Sequence, residues 1–398
     1  MATTTFTDYQ TIIAAAWLND VNAATYNAGT PVTAAGVQAQ IAAANTSIGT
    51  LNTEVAQLAG KNVIVNGDIS ISQLNGTALV TPVTTSFPID MIYYLTSQPS
   101  KLQVQQVTTK LNSLGATTSA SWSVLASYVP SAIDTFTCAF AIEGYNFARF
   151  QWGTANAKPA SLQFKASATN AGTYSGVINN PNTTRSYPFQ FTLAANVDTL
   201  VQIPNIPGDT GGTWLGGSNA ACKIYFDLGC GSNLKGPAGA WSSTNYYGVT
   251  GATNFVSQAN GSLYNISDVQ FEVGSVCTTF ERKLYSQNLL DSQRYLQTYT
   301  GSSNVFLSCT CAFNATAGFG KWMLPLPMRA APTNSILNNP LVVIAPGGAN
   351  SGGTANLASL SANEIQTSFS GSTGLTTGSL INFNYGASGS LVVLSAQI

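Results

Sequence analysis

Seven apolar residues recur at intervals of 4, 3, 4, 3, 4 and 3: Val37, Ile41, Ala44, Ile48, Leu51, Val55 and Leu58. That spacing is the a/d seam of a heptad repeat, and Gly60 follows it where a helix C-cap belongs. A helix lying on a globular body would carry a broader apolar stripe. Here the flanks are Ala, Gln, Asn, Thr and Ser, with Glu54 as the one acidic side chain. The pattern predicts a short self-associating coiled coil over 31–60, with those seven residues as its oligomerisation seam. Isoleucine and valine at a with leucine at d nominally favour two strands, so the heptads alone do not set the number of chains.

After Gly60 the period changes. Strand-like runs recur: "NVIVNGDISIS", "KLQVQQVTT", "SWSVLASYV", "TFTCAFAIEG", "SLQFKAS", "PFQFTL", "CKIYFDLG" and "LYNISDVQFEV". Turn-forming clusters such as "NNPNTT", "PNIPGDTGG" and "NLKGPAGA" separate them. Short strands at this spacing predict an antiparallel sandwich over 61–299. A second β-rich unit follows over 300–398, with Lys321, Arg329 and Glu364 as its ionisable side chains. Residues 1–30 hold an apolar run, Ile12 to Leu18, too short for a core of its own. They are expected to dock on a partner. The class is mainly β, with a helical stalk at the N-terminus.

Charge is scarce, and that excludes much. Only 7% of residues are charged and the formal net charge is −1. Neither nucleic acid nor an anionic membrane would attract such a chain. No apolar run approaches the ~20 residues of a membrane span, and no basic-led apolar segment opens the sequence. Histidine is absent, which removes Ser–His and Cys–His pairs and His-ligated catalytic zinc. The six cysteines form no CxxC pair, and Cys309 with Cys311 fits strand packing better than metal binding. Carboxylate-pair chemistry stays open through Asp209, Asp227, Asp268 and Glu272. A polysaccharide depolymerase would ordinarily bring a long β-helix repeat, and none is visible. The glycine clusters "PGDTGG" and "GCGSNLKG" read as turns, and no acidic cluster marks a Ca²⁺ site. No catalytic residue, metal or cofactor is assigned.

Against this background, residues 268–295, "DVQFEVGSVCTTFERKLYSQNLLDSQRY", gather seven charges: Asp268, Glu272, Glu281, Arg282, Lys283, Asp291 and Arg294. Val269, Phe271 and Val273 alternate with Asp268, Gln270 and Glu272, which predicts a strand with one buried and one wet face. Leu289, Leu290, Tyr295 and Leu296 then recur at helical spacing. On that helix Asp291 and Arg294 are placed to pair.

The same stretch resembles the closing signature of a bacteriophage tail-fibre family, Q-L/F-E-x-G-x-x-A-T-x-F-E-x-R followed by E-L and C-Q-R-Y-Y. Upstream, "NVIVNGDISISQ" resembles the family's opening N-x-x-x-N-G-D-x-x-I-x-Q. "IEGYNFARFQWGTANAKPASLQFKASATNAGTYS" is similar to its central block, and "RSYPFQFTL" and "IPGDTGGTWL" fall in order. The resemblance covers about 61–299. Cys277 stands where alanine is usual, Asn288 where glutamate is, and Ser292 where cysteine is. "WLNDVNAATY" is similar to N-terminal segments of phage structural proteins, and "LPLPMRAAPT" resembles a Met-Arg-x-x-Pro motif found after such sandwiches. The resemblance implies a jelly roll like a carbohydrate-binding module, on a homotrimeric virion fibre assembled in the host cytoplasm. It implies attachment to other virion proteins through 1–30 and non-catalytic binding of a host cell-surface glycan. Sugars are held by aromatic faces and neutral polar groups. Trp214, Trp241, Tyr246 and Tyr247, in loop contexts, are therefore the candidate glycan-binding residues, whereas Trp122 and Trp152 read as core. Two contrasting functions are a purely structural virion part (head fibre, decoration or tail adaptor) and a depolymerase.

Overall fold

The computed structural model describes residues 34–56, 60–214, 216–301, 306–337, 341–344, 354–370, 377, 380–385 and 390–398. The chain divides after Gly60 into two units. In the first, a helix spans Ala34–Ala56. Of the heptad seam, Ile41 is 45% exposed, Val37 half-buried and Ala44 exposed. The side chains of Ile48, Leu51 and Val55, residue Leu58, and the expected attachment segment 1–30 lie outside the described residues.

The second unit is mainly β, with a few short helices. Its first part comprises β1 (Thr85–Ile89), β2 (Ile92–Thr96), β3 (Leu102–Val107), β4 (Ser119–Val124), β5 (Phe136–Glu143), β6 (Ala160–Ala168), β7 (Gly172–Asn179), β8 (Ser186–Leu193), β9 (Thr199–Ile206) and β10 (Ala220–Asp227). Two-residue strands β11 (Lys235–Gly236) and β12 (Gly248–Val249) precede β13 (Leu263–Val273). They form a six-stranded sheet, β1-β2-β5-β10-β7-β8, and a five-stranded sheet, β3-β4-β13-β6-β9. Pairing within both is antiparallel, so the architecture is a two-sheet sandwich consistent with a jelly roll. Alternation builds the core: Leu162, Phe164 and Ala166 of β6 point inward, as do Phe136, Cys138 and Phe140 of β5. A perpendicular ring contact joins the two sheets, Phe164 of β6 against Phe226 of β10 at 4.9 Å, and Phe140 of β5 packs edge-on against Phe226 within the six-stranded sheet at 6.1 Å. Trp122 is fully buried and stacks on Tyr94.

The expected strand over 62–72 does not form. Asparagine side chains take the place of a ladder partner: Asn62 bonds Ile64, Val269 and Phe271, and Asn66 bonds both the amide and the carbonyl of Ile71. Gly67 lies so close to β13 that a Cβ there would stand 2.2 Å from the Val269 carbonyl oxygen. Only glycine fits.

The wet face expected for β13 is also covered. Asp268, Gln270 and Glu272 are at most 2% exposed. Asp268 occupies a bulge with φ 48, so Ser267 and Asp268 both turn outward in succession. Two segments close over them. The β3–β4 connection reaches across the sheet to its far edge, where Ser113 donates to Asp198, and it buries Leu111 and Ala116. The chain after β13 lies over the rest: Val276 accepts from Ser161, Thr278 accepts from Gln163, and Glu281 donates its amide to Gln270. Asp268 pairs with Lys165 at 2.6 Å and Arg282 at 2.8 Å. Glu272 accepts from the Thr278 amide and hydroxyl.

The helix that follows is Tyr285–Gln293, shorter than its periodicity predicted. Asp291 bonds Lys283 and Gln287, leaving Arg294 for another partner. Arg294 and Tyr295 instead lead into β14 (Leu296–Gly301), and their side chains converge on Glu143 at the end of β5. Arg294 grips it with bonds of 3.0 and 2.6 Å, and the Tyr295 hydroxyl donates to it at 2.6 Å. Burial, with the carboxylate second, pushes the Tyr295 hydroxyl well above the usual phenol range.

The C-terminal sheets grow from this junction. They contain β15 (Phe306–Ala312), β16 (Gly318–Met323), β17 (Thr333–Leu337), β18 (Leu341–Ile344), β19 (Thr354–Ser361), β20 (Glu364–Ser370), β21 (Leu380–Tyr385) and β22 (Ser390–Ser395). Their orders are β14-β22-β17 and β18-β21-β15-β16-β20-β19. β14 spans the expected boundary at 299/300, so the C-terminal sheet begins at Leu296. Arg329 ties the parts together by donating to the carbonyls of Ala396 and Ser218, each at 2.7 Å. Cys311 does not pack as expected. It faces solvent on the outer side of β15 opposite Phe319, itself exposed, and the Cys309 side chain lies outside the described residues.

Arg294→Met leaves the buried Glu143 carboxylate with a single hydroxyl donor. Because the arginine end is 39% exposed, the expected loss is about 2–3 kcal/mol of unfolding free energy in urea titrations. A loss below about 0.5 kcal/mol would place this pair among the inert surface bridges.

Candidate functional site

One end of the sandwich carries an open groove of about 380 Å³. Its first wall comes from the chain leaving β5: a helical turn Gly144–Phe147, a tighter turn Ala148–Phe150, and Gln151 at φ 55. Left-handed backbone is costly for a residue with a Cβ, and here it swings Trp152 inward behind Gln151. The opposite wall is the β9–β10 loop with Trp214. Gly153, at φ 81, lets the two walls meet, because a Cβ there would stand 3.1 Å from both the Gly212 carbonyl oxygen and the Trp214 ring.

The floor is aromatic. Trp214 stacks on Phe147 with centroids 5.3 Å apart and stands perpendicular to Trp152 at 4.8 Å. Trp241 completes a triad, perpendicular to Trp152 at 5.1 Å and to Trp214 at 5.6 Å. Each indole N–H is already used. Trp152 donates to the Lys158 carbonyl, Trp241 to the Pro207 carbonyl, and Trp214 to Asp209 and the Gly211 carbonyl. Toward the groove these rings therefore offer carbon faces and edges.

An ion pair behind the floor fixes it. Asp209, 2% exposed, is held bidentately by Arg185 at 2.9 and 2.5 Å. That bond raises the Arg185 pKa above its ordinary value, and the guanidinium also lies 5.9 Å from the Trp241 ring centroid. Among the described residues no charged side chain lines the groove itself. Its rim is neutral: Gln151, Thr154 and Asn156 are exposed, and Thr154 is positioned by donating to the Gln151 carbonyl.

Of the four aromatic residues expected from sequence, Trp214 lines the groove. Trp241 supports it from behind without lining it. Tyr246 and Tyr247 are elsewhere: the Tyr246 ring lies against Gly236, and Tyr247 stands perpendicular to Tyr225 at 4.9 Å on the six-stranded sheet. Trp152, read as core, is 4% exposed and still forms part of the groove wall. Phe147, Gln151, Thr154 and Asn156 were missed. The polar run after Trp152, "GTANA", was the available signal; the left-handed turn at Gln151 has none.

None of the four carboxylates weighed for a glycosidase pair lines the groove, although Asp209 lies directly behind its floor and accepts from the Trp214 indole. Asp209, Asp227, Asp268 and Glu272 are buried at 2–3% exposure, the three aspartates in ion pairs and Glu272 in hydrogen bonds. At the charged seam, the cavity beside Asp68 and Asn288 is about 10 Å³, room for one water at most. Among the described residues no group of three or more Cys, Asp or Glu side chains could hold a metal ion, and no helix is long and apolar enough to cross a membrane.

Neither a family model nor a curated protein matches the sequence. Solved structures do. The family 11 carbohydrate-binding module from Clostridium thermocellum, in complex with a β-1,3-1,4-mixed-linked tetrasaccharide, is 12% identical with a TM-score of 0.26, over 47% of this chain and 91% of that one. The N-terminal cellulose-binding domain of Cellulomonas fimi β-1,4-glucanase C is 12% identical with a TM-score of 0.22, over 43% and 89%. The enzymatically active domain of bacteriophage CBA120 tailspike protein 4 is 14% identical with a TM-score of 0.27, over 54% of this chain and 21% of that one. Likenesses at these scores leave the functional reading to the chemistry of the groove.

Gln151→Gly removes the left-handed penalty at the groove rim. Unfolding stability is expected to rise by about 0.5 kcal/mol in chemical denaturation. A fall would mean that the Gln151 side chain makes a contact worth more than the backbone strain.

Proposed function

We propose that the protein binds a neutral carbohydrate, without catalysis, in the Trp214 groove. One observation carries the reading: a solvent-open groove joins an aromatic floor to an uncharged amide and hydroxyl rim. A pyranose has apolar C–H faces that pack on rings such as Trp214 and Phe147. Its hydroxyls match Gln151, Thr154 and Asn156, and the absence of charge in the lining favours an uncharged sugar.

The finer reading, supported by the motif resemblance, is a virion fibre. Residues 1–30 attach it to the particle, 31–60 self-associate through the heptad seam into a trimer, 61–299 carry the groove, and 300–398 form the distal part. The ligand in that setting is a host cell-surface glycan. Weak single sites then gain from simultaneous engagement, which can raise apparent affinity by about 10²–10⁴.

A purely structural virion component is the second reading. It is favoured by the internal use of all three indole N–H groups, which leaves the triad explicable as packing. Binding of the full chain to isolated host envelope polysaccharide separates the two. Trp214→Ala is expected to weaken that binding at least tenfold with unchanged circular dichroism. Equal binding by the variant, or none by the wild type, favours the structural reading, and release of reducing ends would establish an enzyme.

A further inference from the structure

We propose, resting on the reading of the groove as a neutral-carbohydrate site, that Tyr145 is a second stacking platform beside it. The ligand is then an extended oligosaccharide that runs out over Tyr145, not a single sugar unit held on Trp214.

Tyr145 belongs to the helical turn that forms the first wall, where Gly144, Phe147 and Ala148 line the groove. Ala148 keeps helical backbone, with φ −51. Residues three apart on such a turn are surface neighbours, with Cβ atoms about 5–6 Å apart, so Tyr145 borders the groove on the Ala148 side. Ala148 is exposed and contributes only a methyl at that border. The phenol itself is 69% exposed. Among the described residues its hydroxyl makes no hydrogen bond and its ring meets no other ring.

The opposite wall is open at the same place. Gly216 lines the groove, and a Cβ at Gly216 or Gly217 would meet nothing within 4 Å. A glycine pair is ordinarily free to move, yet three successive carbonyls are held here. Gly217 accepts from the Tyr145 amide at 2.9 Å, Ser218 from Arg329 at 2.7 Å, and Asn219 from the Gly144 amide at 2.8 Å. The bonds that fix the open end thus also fix the backbone that carries Tyr145. An aromatic face on a fixed mount leaves little backbone to order when a ligand arrives. The groups that match hydroxyls, Gln151, Thr154 and Asn156, lie beyond the turn, whereas this end offers a phenol and bare backbone. One sugar ring can face Trp214 and Phe147 and leave Tyr145 unused. A further unit of the same chain, passing the glycine gap, brings a second C–H face onto the phenol.

Calorimetric titration of the full-length protein with cellobiose and cellotetraose, galactobiose and galactotetraose, and mannobiose and mannotetraose tests this. In the series that binds, affinity is expected to rise about tenfold from dimer to tetramer. Tyr145→Ala should remove most of that gain while leaving dimer affinity and melting temperature unchanged. Tyr145→Phe keeps the ring and should retain the gain, and Trp214→Ala should weaken both lengths. Equal wild-type affinity for dimer and tetramer overturns the platform and leaves the groove standing. So does a Tyr145→Ala variant that changes both lengths equally or neither. No heat from any of these oligomers at millimolar concentration overturns the reading of the groove, and the platform with it.

Discussion

A carboxylate removed from water must be met by donors, and in this chain that requirement organises the fold. Glu143, 2% exposed, ends the central strand β5 and receives Arg294 and Tyr295 from about 150 residues later. That contact sets where β14 begins, and β14 pairs with the C-terminal strand β22. Asp268, Asp209 and Asp227 do the same work for the sheet bulge, the tryptophan loop and the β10–β13 connection. Breaking one partner of such a pair costs far more than the pair contributes over an apolar substitute, so these residues fix arrangement more than they add stability.

This explains which parts of the structure were legible. The motifs that carry the family resemblance are the buried polar partners themselves. "IEG" supplies Glu143 and "QRY" supplies Arg294 and Tyr295; "GDT" supplies Asp209 and "RSY" supplies Arg185; "FER" supplies Arg282 for Asp268. Residues bound to a fixed partner tolerate little change, so they read clearly. The sandwich was likewise legible, because β5, β6 and β10 alternate without interruption. The 62–72 segment was misread because "NVIVNGDISIS" alternates like a strand, while Asn62 and Asn66 satisfy the backbone locally. The wet face expected for β13 failed because two other segments cover it, the β3–β4 connection and the chain that follows β13, and nothing in β13 itself announces either.

The groove was only half legible. Trp214 stood out as a loop tryptophan, but Trp152 reads as core from its strand context and is indeed mostly buried. Gln151, Thr154 and Asn156 are ordinary surface residues in sequence; only the reversal at Gln151 brings them to one rim. Tyr246 and Tyr247 looked like companions of Trp241 because seven residues or fewer separate them. In space neither joins the groove: the Tyr246 ring lies against Gly236, and Tyr247 stands against Tyr225. Concentrated charge thus marks the scaffold, whereas the groove is lined, among the described residues, by uncharged side chains.

The central claim is that a neutral glycan meets this protein on the Trp214 face. Fluorine NMR of the full chain labelled with 5-fluorotryptophan tests it directly, since the six tryptophans give separately assignable signals. Titration with a neutral oligosaccharide that the protein binds should shift Trp214 most, with smaller shifts at Trp152 and Trp241 and none at Trp122. Saturable binding that leaves all three groove tryptophans unmoved would contradict the account.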